Sequence, residues 1–175
     1  MNIISLINKD LSKYVSSGGL KIKLKTVIAS HAFHLVLCIR IGQFLRTIPF
    51  IGSLLGVVVE YFIRVVFASD ISLKSRIGPG LMIVHGHDIV IGGDVLIGEN
   101  CKILNGVTLG NKDTESAINQ QPEIGSNVVI GAGAKILGNI KIGDNVKVGA
   151  NSVVLSEVPD NHVAVGVPAR NMLKP

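Results

Sequence analysis

The most regular feature of the chain is a beat of six running from Ile77 to Val158. Ile91, Ile97, Ile103 and Leu109 keep the spacing, and Ile124, Ile130, Ile136, Ile142, Val148 and Val154 repeat it. The fifth place of the hexad is small or apolar as well: Val95, Cys101 and Val107, then Val128, Ala134, Ile140, Val146, Ser152 and Val158. No helix has a period of six, and simple strand alternation does not set a Gly behind so many of the aliphatics. A fixed short repeat predicts a solenoid. Three hexads make one triangular coil, with a short strand on each face and a turn at each corner. Aliphatics of successive coils stack inside, and their strands pair about 4.8 Å apart. Polar pairs such as Glu99-Asn100 and Asp144-Asn145 suit the corners.

The beat breaks twice. Ile77 to Ile91 runs two residues over, which predicts an irregular turn at His85-Gly86-His87. Fifteen residues separate Leu109 from Ile124 where one hexad needs six, so a polar loop over 111–123 leaves the solenoid surface. Irregular segments on a rigid scaffold are where function concentrates.

The first 69 residues have a different character. Asn2 to Gly19 reads as a helix broken by Ser16-Ser17-Gly18-Gly19. Lys21, Lys23 and Lys25 alternate with apolar residues and lead into an apolar segment from Thr26 to Phe44, punctuated by Gly42 and Pro49. A third segment, Ile51 to Ala68, carries Glu60 and Arg64 at a helical i, i+4 spacing, where they can pair. The expected organisation is an apolar, basic α-helical region over 1–69, then a β-helix domain over 70–175.

Charge sharpens this division. Residues 1–69 hold eight Lys/Arg against two Asp/Glu, and residues 70–175 nine against ten, so the net +5 resides in the first region. A basic, apolar segment points to an anionic surface, and a membrane is the simplest; the alternative is that these helices pack on each other and on neighbouring subunits. Nucleic acid is not expected: no recognition motif is present, and stacking aromatics are almost absent from the basic stretch. Arg40, Arg46, Glu60 and Arg64 interrupt the apolar runs and argue against a membrane span. Cys38 and Cys101 give no disulfide framework, and Cys101 holds an inward hexad place. No cleavable signal peptide is expected at the start. The expected location is the cytoplasm, peripherally at the inner face of the membrane. His31 and His34 stand at i, i+3 with no Cys or carboxylate beside them, so they read as surface or interhelical histidines rather than metal ligands.

Asp70 in "DIS", His85 in "GLMIVHG", and the stretches "ILNGVTLGN", "IGAGAKILGNIKIG", "VGANSVV" and "GVPAR" resemble the hexapeptide-repeat acyltransferases. They look like serine acetyltransferase and its relatives, and among these the exopolysaccharide-type O-acetyltransferases, such as the colanic acid biosynthesis enzyme. The resemblance covers residues 70–172 strongly and the N-terminal region weakly. It implies a mainly β fold, a left-handed parallel β-helix, and acetyl-CoA as cosubstrate without a metal. It also implies a homotrimer, or stacked trimers, with coenzyme A in a groove between neighbouring subunits.

Acetyl transfer to an alcohol requires a base near pH 7, and neutral imidazole suits it. A carboxylate on the other ring nitrogen fixes the tautomer. The resemblance assigns the base to His85 and its partner to Asp70. It places the pantetheine arm at Ala132 and Ala150, with Leu155 and Ser156 further along, and the coenzyme phosphates at Arg170 with help from Lys174. His87 and Gln121 are candidates for the acceptor site.

The acceptor is read from departures. In serine acetyltransferases an Asp directly precedes the catalytic His, where this chain has Val84. There an Arg-His pair precedes a loop Pro, where this chain has Gln120-Gln121-Pro122. Neutral residues suit a polyhydroxyl acceptor, since Gln both donates and accepts. The expectation is O-acetylation of a sugar in a surface polysaccharide or its precursor, with serine O-acetylation as the alternative. A zinc hydratase on the same scaffold needs three converging histidines, and His85, His87 and His162 lack the spacing. A non-catalytic β-helix scaffold is the remaining class.

Overall fold

The computed structural model describes residues 2–15, 20–113, 115 and 120–173. Four helices come first: α1 (Ile3–Tyr14), α2 (Leu20–Ala29), α3 (His31–Leu45) and α4 (Gly52–Phe67). The apolar stretch from Thr26 onward is two helices bent by 79° rather than one run. Ser30 explains the break, because its hydroxyl accepts from the Phe33 N–H and caps a new helix at His31. Among the described residues no single helix is long and apolar enough to cross a membrane. The Ser16–Gly19 breaker lies outside the described residues.

The remainder is a parallel β-helix with three faces. The first face stacks β1 (Asp70–Ile71), β4 (Val90–Ile91), β7 (Thr108–Gly110), β10 (Lys135–Leu137) and β13 (Val153–Val154). The second stacks β2 (Arg76–Ile77), β5 (Leu96–Ile97), β8 (Glu123–Ile124) and β11 (Lys141–Ile142). The third stacks β3 (Met82–Val84), β6 (Lys102–Leu104), β9 (Val129–Ile130), β12 (Lys147–Val148), β14 (His162–Gly166) and β15 (Ala169–Leu173). Pairing is parallel until β15 turns back antiparallel on β14 and closes the far end. Register follows the hexad: Ile71, Ile91, Leu109, Ile136 and Val154 are successive partners on the first face. These aliphatics, and the fifth-place residues Val95, Cys101, Val107, Val128, Ala134 and Val146, are buried in one continuous core.

Backbone geometry explains the polar and glycine places. Asn100, Asn127, Asn145, Asn151 and Asn161 all occupy corners at φ between 55° and 60°. Asn tolerates this left-handed conformation better than other non-glycine residues. At the corner between second and third faces, coils touch backbone to backbone. A Cβ on Gly98 would stand 2.7 Å from the carbonyl of Gly125, so only glycine fits.

The helices cap the open end of the solenoid, where the first coil would otherwise expose unpaired strand edges. Each face is met by specific side chains. The Glu60 carboxylate accepts from Leu73 N–H at 2.8 Å, beside the first face. Arg40 donates to the carbonyls of Ile77 and Gly78, both at 2.7 Å, and Gln43 donates to that of Ser75. At the third face the Tyr14 hydroxyl bonds both the Ile83 carbonyl and its N–H, and Asp10 accepts from the N–H groups of Gly80 and Leu81. Asp10 and Arg40 are fully buried and paired to each other at 2.8 Å. The pairing expected between Glu60 and Arg64 is not formed. Glu60 turns to the solenoid edge, and Arg64 turns to Asp70.

Candidate active site

The corner between the third and first faces carries the candidate chemistry. In the first coil this corner is the His85 turn. In the next coils it is Asn105-Gly106, then Ala132-Gly133, then Ala150-Asn151. The levels are tied together by backbone bonds. Gly106 N–H donates to the His87 carbonyl, Gly133 N–H to that of Asn105, and Asn151 N–H to that of Ala132. The fold therefore aligns the candidate base with both candidate pantetheine residues along one ridge. At about 4.8 Å per coil, Ala132 lies two levels, roughly 10 Å, from the His85 turn.

His85 itself is exposed and holds φ 54°, and His87 N–H closes the turn on the His85 carbonyl at 2.7 Å. Left-handed non-glycine residues are sparse and collect at functional sites. The two extra residues of the broken beat are what make this turn. Gly86 lets it press on α3: an added Cβ would meet Leu35 at 3.0 Å and Ala32 at 3.3 Å. His87 and Asp88 are exposed beside it.

The turn is bonded to the segment that carries Asp70. Asp88 N–H donates to the Ala68 carbonyl at 3.1 Å, and Asp70 N–H to that of Ile89 at 2.8 Å. The Asp70 carboxylate does not hydrogen-bond His85, and no described residue bonds the His85 ring. Asp70 instead accepts from the Arg64 guanidinium at 2.6 Å. Ala68 explains this. It ends α4 in the left-handed region at φ 45° and folds the chain back, so that Asp70 returns beside the last turn of the helix. The hydrogen bond that Arg64 donates to Asp70 raises the Arg64 pKa further, so this cation stays charged. The contact of Arg64 with Asp70, rather than with Glu60, is what the sequence did not lead one to expect. Its signal was a helix-terminal cation six residues ahead of the candidate carboxylate.

The other candidates are dispersed. Leu155 and Ser156 follow β13 at the opposite edge of the first face and are exposed. Arg170 is exposed on β15, opposite Val165, beyond the last coil of the third face. Lys174 lies outside the described residues. Gln121 lies at the corner between first and second faces, not at the His85 corner. Its Oε1 accepts from Asp94 N–H at 2.9 Å and its carboxamide packs over Gly92. The Gln121 acceptor oxygen is thus used to fasten the loop back to the preceding coil. A groove of about 510 Å³ runs along the second face over Arg76, Leu96 and Lys141, opposite the His85 corner. No group of three metal-ligating side chains gathers among the described residues.

Comparison with known proteins places this geometry. Residues 121–156 match the bacterial transferase hexapeptide (six repeats), and residues 88–112 the hexapeptide repeat of succinyl-transferase. The serine acetyltransferase of Synechococcus elongatus is 39% identical over 149 residues, covering 84% of this chain and 59% of that protein. The soybean serine acetyltransferase structure superposes with a TM-score of 0.87 at 36% identity, covering 97% of this chain and 69% of that one. The chain belongs to the serine acetyltransferase family of hexapeptide-repeat acyltransferases. A serine acetyltransferase solved in complex with CoA has a TM-score of 0.84 at 36% identity, covering 97% of this chain and 69% of that one. The chain spans about half the length of the curated family members it matches, 40% of the Haemophilus influenzae protein and 51% of the Escherichia coli K12 one. The exopolysaccharide branch expected from sequence receives no support, because these family members are serine acetyltransferases.

Proposed function

We propose that the protein is an acetyl-CoA-dependent O-acetyltransferase whose acceptor is the hydroxyl of L-serine or a close amino-acid analogue. The observation that carries the acyl-transfer reading is the ridge that aligns His85 with Ala132 and Ala150. The neutral His85 imidazole takes the acceptor's hydroxyl proton as the oxygen attacks the thioester carbonyl. The C–S bond then breaks, and the imidazolium returns the proton to the departing thiolate. An O-acetyl ester and free coenzyme A result. Ala132 and Ala150 leave the ridge low enough for a pantetheine arm to lie against it, and Arg170 serves the coenzyme phosphates. The solved CoA complex of a family member supports this use of the fold.

The serine acceptor rests on the family members and on Arg64. An amino acid carries a carboxylate, and Arg64 is an exposed cation on Asp70, two residues beyond the Ala68 carbonyl that the His85 turn bonds. A carboxylate that draws Arg64 away leaves Asp70 available to orient His85. A second reading, a neutral sugar hydroxyl, is favoured by Val84 and by the uncharged Gln120-Gln121 pair. The Gln121 contact with Asp94 weakens it. The working unit in this reading is a homotrimer, since within one protomer the His85 corner and Gln121 lie on different edges of the first face.

The deciding experiment measures coenzyme A release with L-serine and with a panel of neutral oligosaccharides. Turnover on serine supports the reading. Turnover on sugars alone reverses the acceptor, and no binding of acetyl-CoA by calorimetry at millimolar concentration removes the enzyme reading altogether.

A further inference from the structure

The helical cap leaves one surface that its own packing does not explain. α4 buries Gly52, Gly56, Ile63 and Phe67 against the rest of the protein. Its opposite face consists of Leu54, Val57, Val58, Tyr61, Phe62 and Val65, each between 49% and 66% exposed. No charge interrupts this arc, while Glu60 and Arg64 are turned aside to the solenoid. A helix with a second apolar face expects apolar surroundings on that face as well as on its packed one.

A second feature adjoins it. α2 is exposed from Lys21 to Lys25, with the three lysines interleaved with exposed Ile22 and Leu24. It leads through Ser30 directly into His31, whose ring packs on Phe67 at 4.6 Å. The lysine-bearing helix therefore ends its course near the C-terminal end of α4, where Phe62 and Val65 are exposed, with its lysines towards its other end.

We propose that α4 and α2 together dock the protein on an anionic phospholipid surface, with α4 laid into the headgroup boundary and the α2 lysines on lipid phosphates. Charge complementarity selects this occupant over a second copy of the chain. Lysines are depleted from protein–protein interfaces, where the ammonium must be desolvated. At a bilayer the stems lie along the apolar boundary and the ammonium groups meet negative charge. The distribution agrees, since residues 1–69 carry an excess of six cations while residues 70–175 are slightly acidic. Helices that lie in an interface combine these two properties. The proposal does not depend on the acyl-transfer reading.

The test is co-sedimentation of the full chain with vesicles of phosphatidylcholine alone and of phosphatidylcholine mixed with phosphatidylglycerol, with the mass in solution measured by light scattering. The expected result is binding to the anionic vesicles only, weakened by salt. Lys21→Gln, Lys23→Gln and Lys25→Gln together should lower partitioning on the order of 100-fold. Val58→Asp with Val65→Asp, both at exposed positions, should abolish it with the helical spectrum and solution mass unchanged. Absence of the wild-type protein from anionic vesicles overturns the proposal. So does a fall in solution mass in the Val58→Asp, Val65→Asp variant, which would show the face to be an interface between copies.

Discussion

Asp10→Ala tests the attachment of the helical cap to the solenoid. The Asp10 carboxylate accepts four hydrogen bonds in a fully buried setting: two from Arg40, at 2.8 and 3.2 Å, and one each from Gly80 and Leu81 N–H, both at 2.8 Å. Truncation leaves the buried Arg40 cation without a counterion and orphans two backbone donors. Breaking a buried pair by removing one partner costs about 3–5 kcal/mol. Each orphaned N–H adds roughly 1 kcal/mol or more, partly overlapping with the first cost. An expected loss of about 5 kcal/mol corresponds to a fall in Tm of roughly 10–20 °C for a chain of this size. Urea unfolding followed by circular dichroism, at one fixed protein concentration, measures it. Arg40→Ala on top of Asp10→Ala should add less than Arg40→Ala alone, because the stranded charge is then gone. The backbone groups at Ile77, Gly78, Gly80 and Leu81 stay unsatisfied, so the double variant should not recover the wild-type value. A cost for Asp10→Ala below about 1 kcal/mol, with no coupling in the cycle, would refute this account of how the helices hold the first coil.

His85→Ala should lower turnover by a factor on the order of 10²–10⁴ while coenzyme A still binds by calorimetry. Arg64→Ala should raise KM for L-serine at least tenfold and leave KM for acetyl-CoA unchanged, read from initial rates with each substrate varied. Burial pushes the Cys101 thiol up from 9.0 to about 11. The unfolded chain therefore loses this proton first as pH rises through 9, and stability falls between pH 9 and about 11. Cys101→Ala should flatten that alkaline decline in a pH series of urea midpoints.

The β-helix was legible because its rule is local and repeated. An aliphatic every six residues fixes what points inward, and Asn at the corners fits the left-handed turn at each of five positions. The His85 turn was legible for the same reason, as a departure from a rule that held elsewhere. The cap was not. Asp10, Arg40 and the Gly78–Leu81 edge are separated by 30 to 71 residues, and no periodicity links them. Arg64 shows the limit of a local rule. The i, i+4 spacing with Glu60 is real, yet Glu60 is taken by the part-buried Leu73 N–H, and Arg64 pairs instead with Asp70, an ion pair that is itself exposed. Gln121 was misplaced for the opposite reason. Loop length predicted that the segment leaves the surface, but nothing in it told that its last residues turn back to Asp94.

The two interruptions of the beat have different consequences for a site. Two extra residues at His85 are too few to leave the ridge. The turn stays bonded to Ala68 on one side and to Gly106 on the other, and it only re-aims a side chain from a rigid corner. The longer insertion after Gly110 emerges one corner away, and where it rejoins the coil at Gln121 it is clamped to the Gly92–Asp94 turn. A single protomer thus carries the proposed base at one edge of the first face and the Gln121 end of the insertion at the other, with the strand width between them. Chemistry that needs both at one hydroxyl requires the His85 corner of one copy beside the loop edge of the next. The homotrimer proposed above would bring those two edges together, so a measured solution mass tests the proposed site as well as the assembly.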